Sequence, residues 1–286
     1  MATARSLELQ QLAQRIADAL PPVAEEVVLT GSVSRGVADE VSDIEMLIVT
    51  TEPLDLPTCF EHARRIGLES LDTWGLQGTP ASKVFGYLEG VPIELIWWPR
   101  EYAEASVAGL IAGEESSSAE AIASGVSLRT AGLLARWQEL LSDYPKEVAA
   151  ARIEGAALTW GGFAPDGMFT IARPGERLSC IERLLDDALR VLKIVYALNR
   201  VWEPTTKRLA ARVDELSVKP DRLAERIEEA LTEPDLLRAL LVMNELQLET
   251  VMLTPSGPNV DRARRWLSEV VRVLQAAASA SKSSAP

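Results

Sequence analysis

The sequence predicts a mixed α/β chain in two parts: a small α/β domain over residues 1–110, then a helical domain over 111–278. A tail, 279–286, has too few apolar side chains to pack. Three observations lead there. Strand-like apolar runs are confined to the first hundred residues. Beyond Pro99 the apolar residues recur at helical period. The length, 286 residues, gives room for two cores, each of the usual size of about 100–200 residues.

Taken in order, LELQQLAQRIADAL reads as an amphipathic helix over about 6–20, ended by Pro21 and Pro22. EEVVLTG is a short buried strand stopping at Gly31, and DIEMLIVT (43–50) is a second, apolar and β-branched toward its end. A helix over 57–67 is opened by Pro57, whose missing N–H costs nothing in a first turn. KVFGYLEGVPIELIWW holds two apolar runs meeting at Glu89-Gly90, a hairpin signal. In the helical part the clearest element is 176–201, where Ile181, Leu184, Leu185, Ala188, Leu192 and Val195 form one apolar face. Further helices are expected at 128–142, 205–216, 221–231, 234–252 and 259–278. TWGGFAPDGMFTIARPGE (159–176) is rich in Gly and Pro and reads as a loop or short hairpin.

Charge and composition restrict the function. Lys and Arg number 29 against 42 Asp and Glu, for a formal charge of −13. Residues 1–100 carry −8 and the remainder −5, so neither part offers the clustered basic surface that nucleic acid requires. An acidic surface favours a cation or a metal–nucleotide complex. No apolar run approaches the roughly 20 residues that span a bilayer, and the N-terminus lacks a signal-peptide pattern, so a soluble, cytoplasmic protein is expected. Cys59 and Cys180 fit no zinc or disulfide pattern and are expected to be reduced and buried. The single histidine, His62, is expected in solvent on a polar helix, which leaves acid–base chemistry to carboxylates.

The stretch that carries chemistry is GSVSRGVADEVSDIE, residues 31–45. Gly31 and Ser32 follow a strand directly, where small residues let the backbone approach a ligand, and N–H groups at a helix start favour an anion such as phosphate. Asp43 and Glu45 alternate in the next strand, so their carboxylates share a face. Two such carboxylates repel each other unless a cation lies between them. Mg²⁺ suits that place, because it takes one or two carboxylates together with substrate phosphates.

Gly31, Ser32, Arg35, Gly36, Ala38, Ser42, Asp43, Ile44 and Glu45 together match the pattern G-S-x-x-R-G-x-A-x(3)-S-D-I-[DE]. This resembles the signature of the polymerase β-like nucleotidyltransferase superfamily, above all the small bacterial antibiotic-type members such as the aminoglycoside nucleotidyltransferases. The resemblance covers residues 27–98 and implies a catalytic domain with a short mixed sheet. It also implies a third carboxylate on a later strand. Glu94 in VPIELIWW is that candidate, because an acid within an apolar strand is costly without a partner or a metal. Glu45 stands where Asp is commoner.

The implied chemistry is transfer of a nucleoside monophosphate, AMP from ATP, to a hydroxyl of a small-molecule acceptor with release of pyrophosphate. Two Mg²⁺ ions, replaceable by Mn²⁺, would be held by Asp43, Glu45 and Glu94, with Glu94 either a ligand of the second ion or the general base. Gly31, Ser32, Arg35 and Ser42 would bind the nucleotide, joined by Lys193 or Lys207 from the helical part. Asp186 and Asp187 could serve a cationic acceptor, though a solvated helix face explains them more simply. Trp98 and Trp160 are the stacking candidates among the seven tryptophans, beside Trp97 and Phe163. Two competing readings are a toxin-like transferase acting on tRNA or protein and a nucleotide-binding, antitoxin-like module with little turnover. The carboxylate trio weighs against the second.

Overall fold

The computed structural model describes residues 2–73, 78–114, 118–161 and 177–283. The chain divides into two compact units, Met1–Asp143 and Tyr144–Pro286. The first contains α1 (Ala4–Ala19), β1 (Ala24–Thr30), the single turn α2 (Gly31–Ser34), β2 (Ile44–Thr50), α3 (Leu56–Arg65) and β3 (Glu69–Asp72). It continues through β4 (Ser82–Leu88), β5 (Val91–Pro99), α4 (Arg100–Ala112), α5 (Ser118–Ala123), β6 (Val126–Arg129) and α6 (Leu133–Ser142).

The strands form one mixed sheet in the order β3-β4-β5-β2-β1-β6. Among the described strands only β2 and β5 run parallel; the segment α3–β3–β4 carries the chain back so that β5 enters beside β2 in the same direction. On one face, Val27, Leu29, Ile44, Met46, Ile48, Ile93, Leu95 and Trp97 pack against Leu9, Leu12 and Ile16 of α1 and Cys59 and Ala63 of α3. On the other, α4 lies against β2 and β5 and α6 against β1. Burial on both faces is why the central strands read as nearly continuous apolar runs. The hairpin turns at Glu89 and Gly90, both with positive φ (54° and 77°), as a two-residue turn that matches strand twist requires.

The expected elements of this unit are present, and α4, α5, β3 and β6 join them. The sheet-bearing unit therefore runs to Asp143, past the 110/111 division expected from the sequence. The physical reason is β6, a four-residue strand too short to show a period, which pairs with β1 and brings its neighbours with it.

Buried polar groups fasten these helices. Glu26 on β1 is fully buried and accepts from the Ser127 hydroxyl and from the backbone N–H of Ala131 (2.8 Å) and Leu133 (3.0 Å), so it serves the otherwise unpaired amides at the start of α6. Arg129 donates to the carbonyls of Ala17, Leu20, Pro21 and Ala24, at the end of α1, where a cation also complements the helix dipole. Gln138 does the same for α5 through the carbonyls of Ile122 and Gly125.

The second unit is helical in its described residues: α7 (Lys146–Ala157), a 3₁₀ turn (Leu158–Gly161), α8 (Arg177–Leu198), α9 (Leu209–Asp214), α10 (Leu223–Thr232), α11 (Leu236–Met252) and α12 (Pro258–Ser283). The helix over 128–142 expected from the sequence splits into β6 and α6, and α7 is additional. On α8, Leu184, Ala188, Leu192 and Val195 are buried as expected, but Leu185 is exposed and Asp187 is buried. Asp187 sits inside because the indole N–H of Trp160 (2.9 Å) and Arg183 (3.2 Å) satisfy its oxygens. Glu154 accepts from the N–H of Asn259 (2.8 Å) at the start of α12, and a Cβ on Gly257 would lie 1.9 Å from that carboxylate. The tail from 279, expected to be disordered, continues α12 to Ser283; residues 284–286, like Phe163 and the remainder of 162–176, lie outside the described residues.

Both cysteines are free and buried, and burial pushes the Cys59 thiol up to about 11. His62 is not in open solvent: it is half-buried with its ring stacked on Trp97 at 5.7 Å. Burial, and next the charge of Arg65, hold its pKa below the ordinary imidazole value. Among the described residues no helix is long and apolar enough to cross a membrane.

Glu26→Ala strands the Ala131 and Leu133 amides and should lower stability by about 3 kcal/mol, read as a shift of the urea midpoint with unchanged slope. For His62, the unfolded chain binds the proton more tightly than the folded chain, so protonation favours unfolding and stability falls as pH drops through about 6.5. Between pH 7.5 and 5.5 wild type should therefore lose more stability than His62→Phe, and equal losses would remove His62 as the cause.

Candidate functional site

The site is built at the end of the sheet where β1 gives way to α2. Thr30, the last residue of β1, pairs with Glu45 of β2, and its hydroxyl donates to the Glu45 carbonyl at 3.2 Å. Gly31 therefore follows directly beside Glu45. It has φ +72°, and a Cβ there would lie 2.1 Å from Glu45 Oε2. Glycine is required twice over, by the backbone conformation and by the room the carboxylate occupies.

Across the sheet, Glu45 is in register with Glu94 of the parallel strand β5. Residues in register on neighbouring strands point to the same face, about 4.8 Å apart along the hydrogen-bonding direction. Asp43 stands two residues ahead of Glu45, just before β2 begins at Ile44. The three candidate carboxylates are all half-buried. Among the described residues, though, no three His, Cys, Asp or Glu side chains form a group shaped to hold a metal ion.

Glu94 is engaged elsewhere. Lys83 Nζ on β4 lies 2.5 Å from Glu94 Oε1, with the two side chains only 17% and 15% exposed. The ammonium also lies 5.1 Å from the centroid of Phe85, the residue facing Glu94 across the hairpin. Lys83 was not read from the sequence as a site residue. The signal existed: the two-residue turn at Glu89-Gly90 fixes the hairpin register, which puts Phe85 opposite Glu94 and Lys83 on the diagonal, within reach of a long side chain.

As a donor set, Asp43 and Glu45 suit one hard divalent cation, which needs only one or two protein carboxylates when phosphates and water complete its shell. For a second ion the third carboxylate is compromised, because one oxygen of Glu94 is committed to Lys83.

The other motif residues have structural work. Ser42 is buried; its hydroxyl accepts from the Asp39 N–H (2.9 Å) and donates to Asp39 Oδ1 (2.8 Å), which closes the loop into β2. Arg35 pairs with Glu120 of α5 at 2.6 Å, a largely buried link between the motif and a helix 85 residues away in sequence. Gly36 (φ +74°) and Ala38 fit under the start of α1: Thr3 N–H donates to the Gly36 carbonyl, the Thr3 hydroxyl to that of Ala38, and Ala38 N–H to Ser6 Oγ. Ser32 is half-buried in α2, and its carbonyl accepts from Val37 N–H.

Lys193, half-buried on α8, and Lys207, exposed ahead of α9, belong to the second unit. Trp98 and Trp160 are buried, at 7% and 5% exposure: Trp98 meets Tyr102 edge-on at 5.3 Å, and Trp160 donates to Asp187. Both are packing residues here. Asp186 is paired with Arg190 at 2.7 Å, and Asp187 is inside the second unit with its pKa raised by burial, which removes it as a solvent-facing acceptor contact.

No family model matches the chain, and no curated protein matches it. Among solved structures, the chain is similar to a nucleotidyltransferase-like protein from Exiguobacterium sibiricum 255-15, at 13% identity and a TM-score of 0.40, over 92% of this chain and 80% of that one.

Gly31→Ala should push the Glu45 carboxylate aside and add left-handed strain of about 1–2 kcal/mol. Expected is a folded protein whose Mn²⁺ affinity, read from the free-ion electron paramagnetic resonance (EPR) signal, falls at least tenfold; unchanged affinity would separate Gly31 from the carboxylate site.

Proposed function

We propose that this protein is a divalent-cation-dependent nucleotidyltransferase that moves AMP from ATP to a hydroxyl of a small, cationic acceptor. One observation carries the reading: a glycine-led turn seats the Glu45 carboxylate, with Asp43 two residues before it and Glu94 in register on the parallel neighbour. Carboxylates gathered beside a backbone bend, rather than dispersed on a surface, suit the handling of a metal–triphosphate complex.

Asp43 and Glu45 would hold Mg²⁺. When bound, that ion neutralises triphosphate charge and favours departure of pyrophosphate. The remaining work belongs to the chain's own groups. The acceptor hydroxyl attacks the α-phosphorus; its oxygen forms the new P–O bond as the bond to the β-phosphate oxygen breaks. The hydroxyl proton passes to a carboxylate, and Glu94 is the candidate base. The ion pair with Lys83 beside it holds the Glu94 carboxylate in one orientation. The formal charge of −13 suits a cationic acceptor, which would be drawn toward an acidic surface.

The test is pyrophosphate release from each nucleoside triphosphate with Mg²⁺ or Mn²⁺, against aminoglycosides, neutral hydroxylated molecules and tRNA. Release should need one cationic acceptor and should drop at least 10³-fold in Asp43→Asn with the fold intact. Release from tRNA alone would favour the toxin-like reading. Silence throughout, with nucleotide binding retained, would favour a binding module, and wild-type turnover in Asp43→Asn would remove the metal assignment.

A further inference from the structure

We infer that Lys83 is a built-in cation of the carboxylate cluster, occupying the electrostatic place of a second divalent ion, so that the chain binds a single metal ion with its nucleotide. The inference rests on the proposed nucleotidyl-transfer reading and deepens it.

Lys83 Nζ lies 2.5 Å from Glu94 Oε1. A Mg²⁺ or Mn²⁺ ion bonded to that oxygen at about 2.1 Å would approach the ammonium to within about 4.6 Å, even with the two on opposite sides of the oxygen. A dication and an ammonium that close repel strongly, and the repulsion is poorly screened because both side chains are largely buried. Two further features hold Lys83 near Glu94. Its stem starts from the central part of β4, paired on β5 with Ile96, and its ammonium is also attracted to the Phe85 ring.

The carboxylates arrange themselves accordingly. Glu45 is seated against Gly31 on the far side of the pair, and among the described residues no three carboxylates converge as a metal cage. Asp43 and Glu45 are the carboxylates proposed for one ion, and Glu94 is the one paired with Lys83. In chemical terms Lys83 supplies a fixed single charge where a second ion would supply two. It is a positioning residue for Glu94, holding the carboxylate in one orientation, and it touches the reacting atoms only through Glu94.

The measurement is a Mn²⁺ titration of the full-length chain saturated with a non-hydrolysable ATP analogue. Bound ion is counted from the loss of the free-ion EPR signal, and the analogue alone serves as blank. Wild type should bind one Mn²⁺ per chain. Lys83→Met, which keeps the stem and removes the charge, should bind two, while Lys83→Arg should stay at one. Lys83→Gln is the second charge-free variant should Lys83→Met fail to fold. Two ions in wild type, a count that needs no variant, would overturn the inference and leave the nucleotidyl-transfer reading standing. One ion in a folded charge-free variant would do the same. No ion in wild type above the blank would instead overturn the metal site of Asp43 and Glu45, and with it the inference.

Discussion

Two carboxylates held side by side on parallel strands set the terms for the rest of the site. Glu45 and Glu94 are locked in register by the β2–β5 ladder. At the spacing of adjacent strands, two like charges repel by about 3 kcal/mol at an effective dielectric near 20. Neither residue can slip, since a shift of one position would turn every apolar side chain of the strand to the opposite face. The surroundings answer that repulsion instead. Lys83 neutralises Glu94, and the absence of a side chain at Gly31 lets the Glu45 carboxylate move into the space beside the turn.

The motif loop is held from three directions, and this explains residues that do not face the carboxylates. From one side the start of α1 clamps Gly36 and Ala38. From another, Glu120 on α5 takes Arg35. Within the loop, Ser42 and Asp39 close the turn that delivers Asp43 to the edge of β2. Positions that look like ligand contacts in a motif can thus be the supports that keep its two carboxylates in place. A buried Arg–Glu pair is a poor source of net stability but a good source of geometry, because breaking it leaves an uncompensated charge.

The framework behind the site relies on side chains that serve helix ends. Glu26, Arg129 and Gln138 each reach from one element to the unpaired amides or carbonyls of another, so hydrogen bonds add to the apolar packing that holds β6, α5 and α6 in place. The second unit uses the same device, with Glu154 at the start of α12 and Arg264 on the carbonyls of Val251 and Thr254 at the end of α11. The links of Glu26, Arg129 and Glu154 join residues about 100 positions apart in the chain, and no local pattern announces them.

That difference marks what could be read in advance. The sequence by itself determined the mixed α/β start and helical continuation, the strands around Val28 and Ile48, and the hairpin at Glu89-Gly90. Each of these follows from periodicity, turn chemistry or alternation, which act over a few residues. Only the tertiary structure decided that β6 extends the first unit to Asp143, that Asp187 and Trp160 satisfy each other in the interior, and that His62 lies on Trp97. It also decided that Lys83 claims Glu94. The reason is physical: a buried charge is placed by whichever partner the fold brings to it, and that partner is chosen by strand order and helix packing, not by its neighbours in sequence.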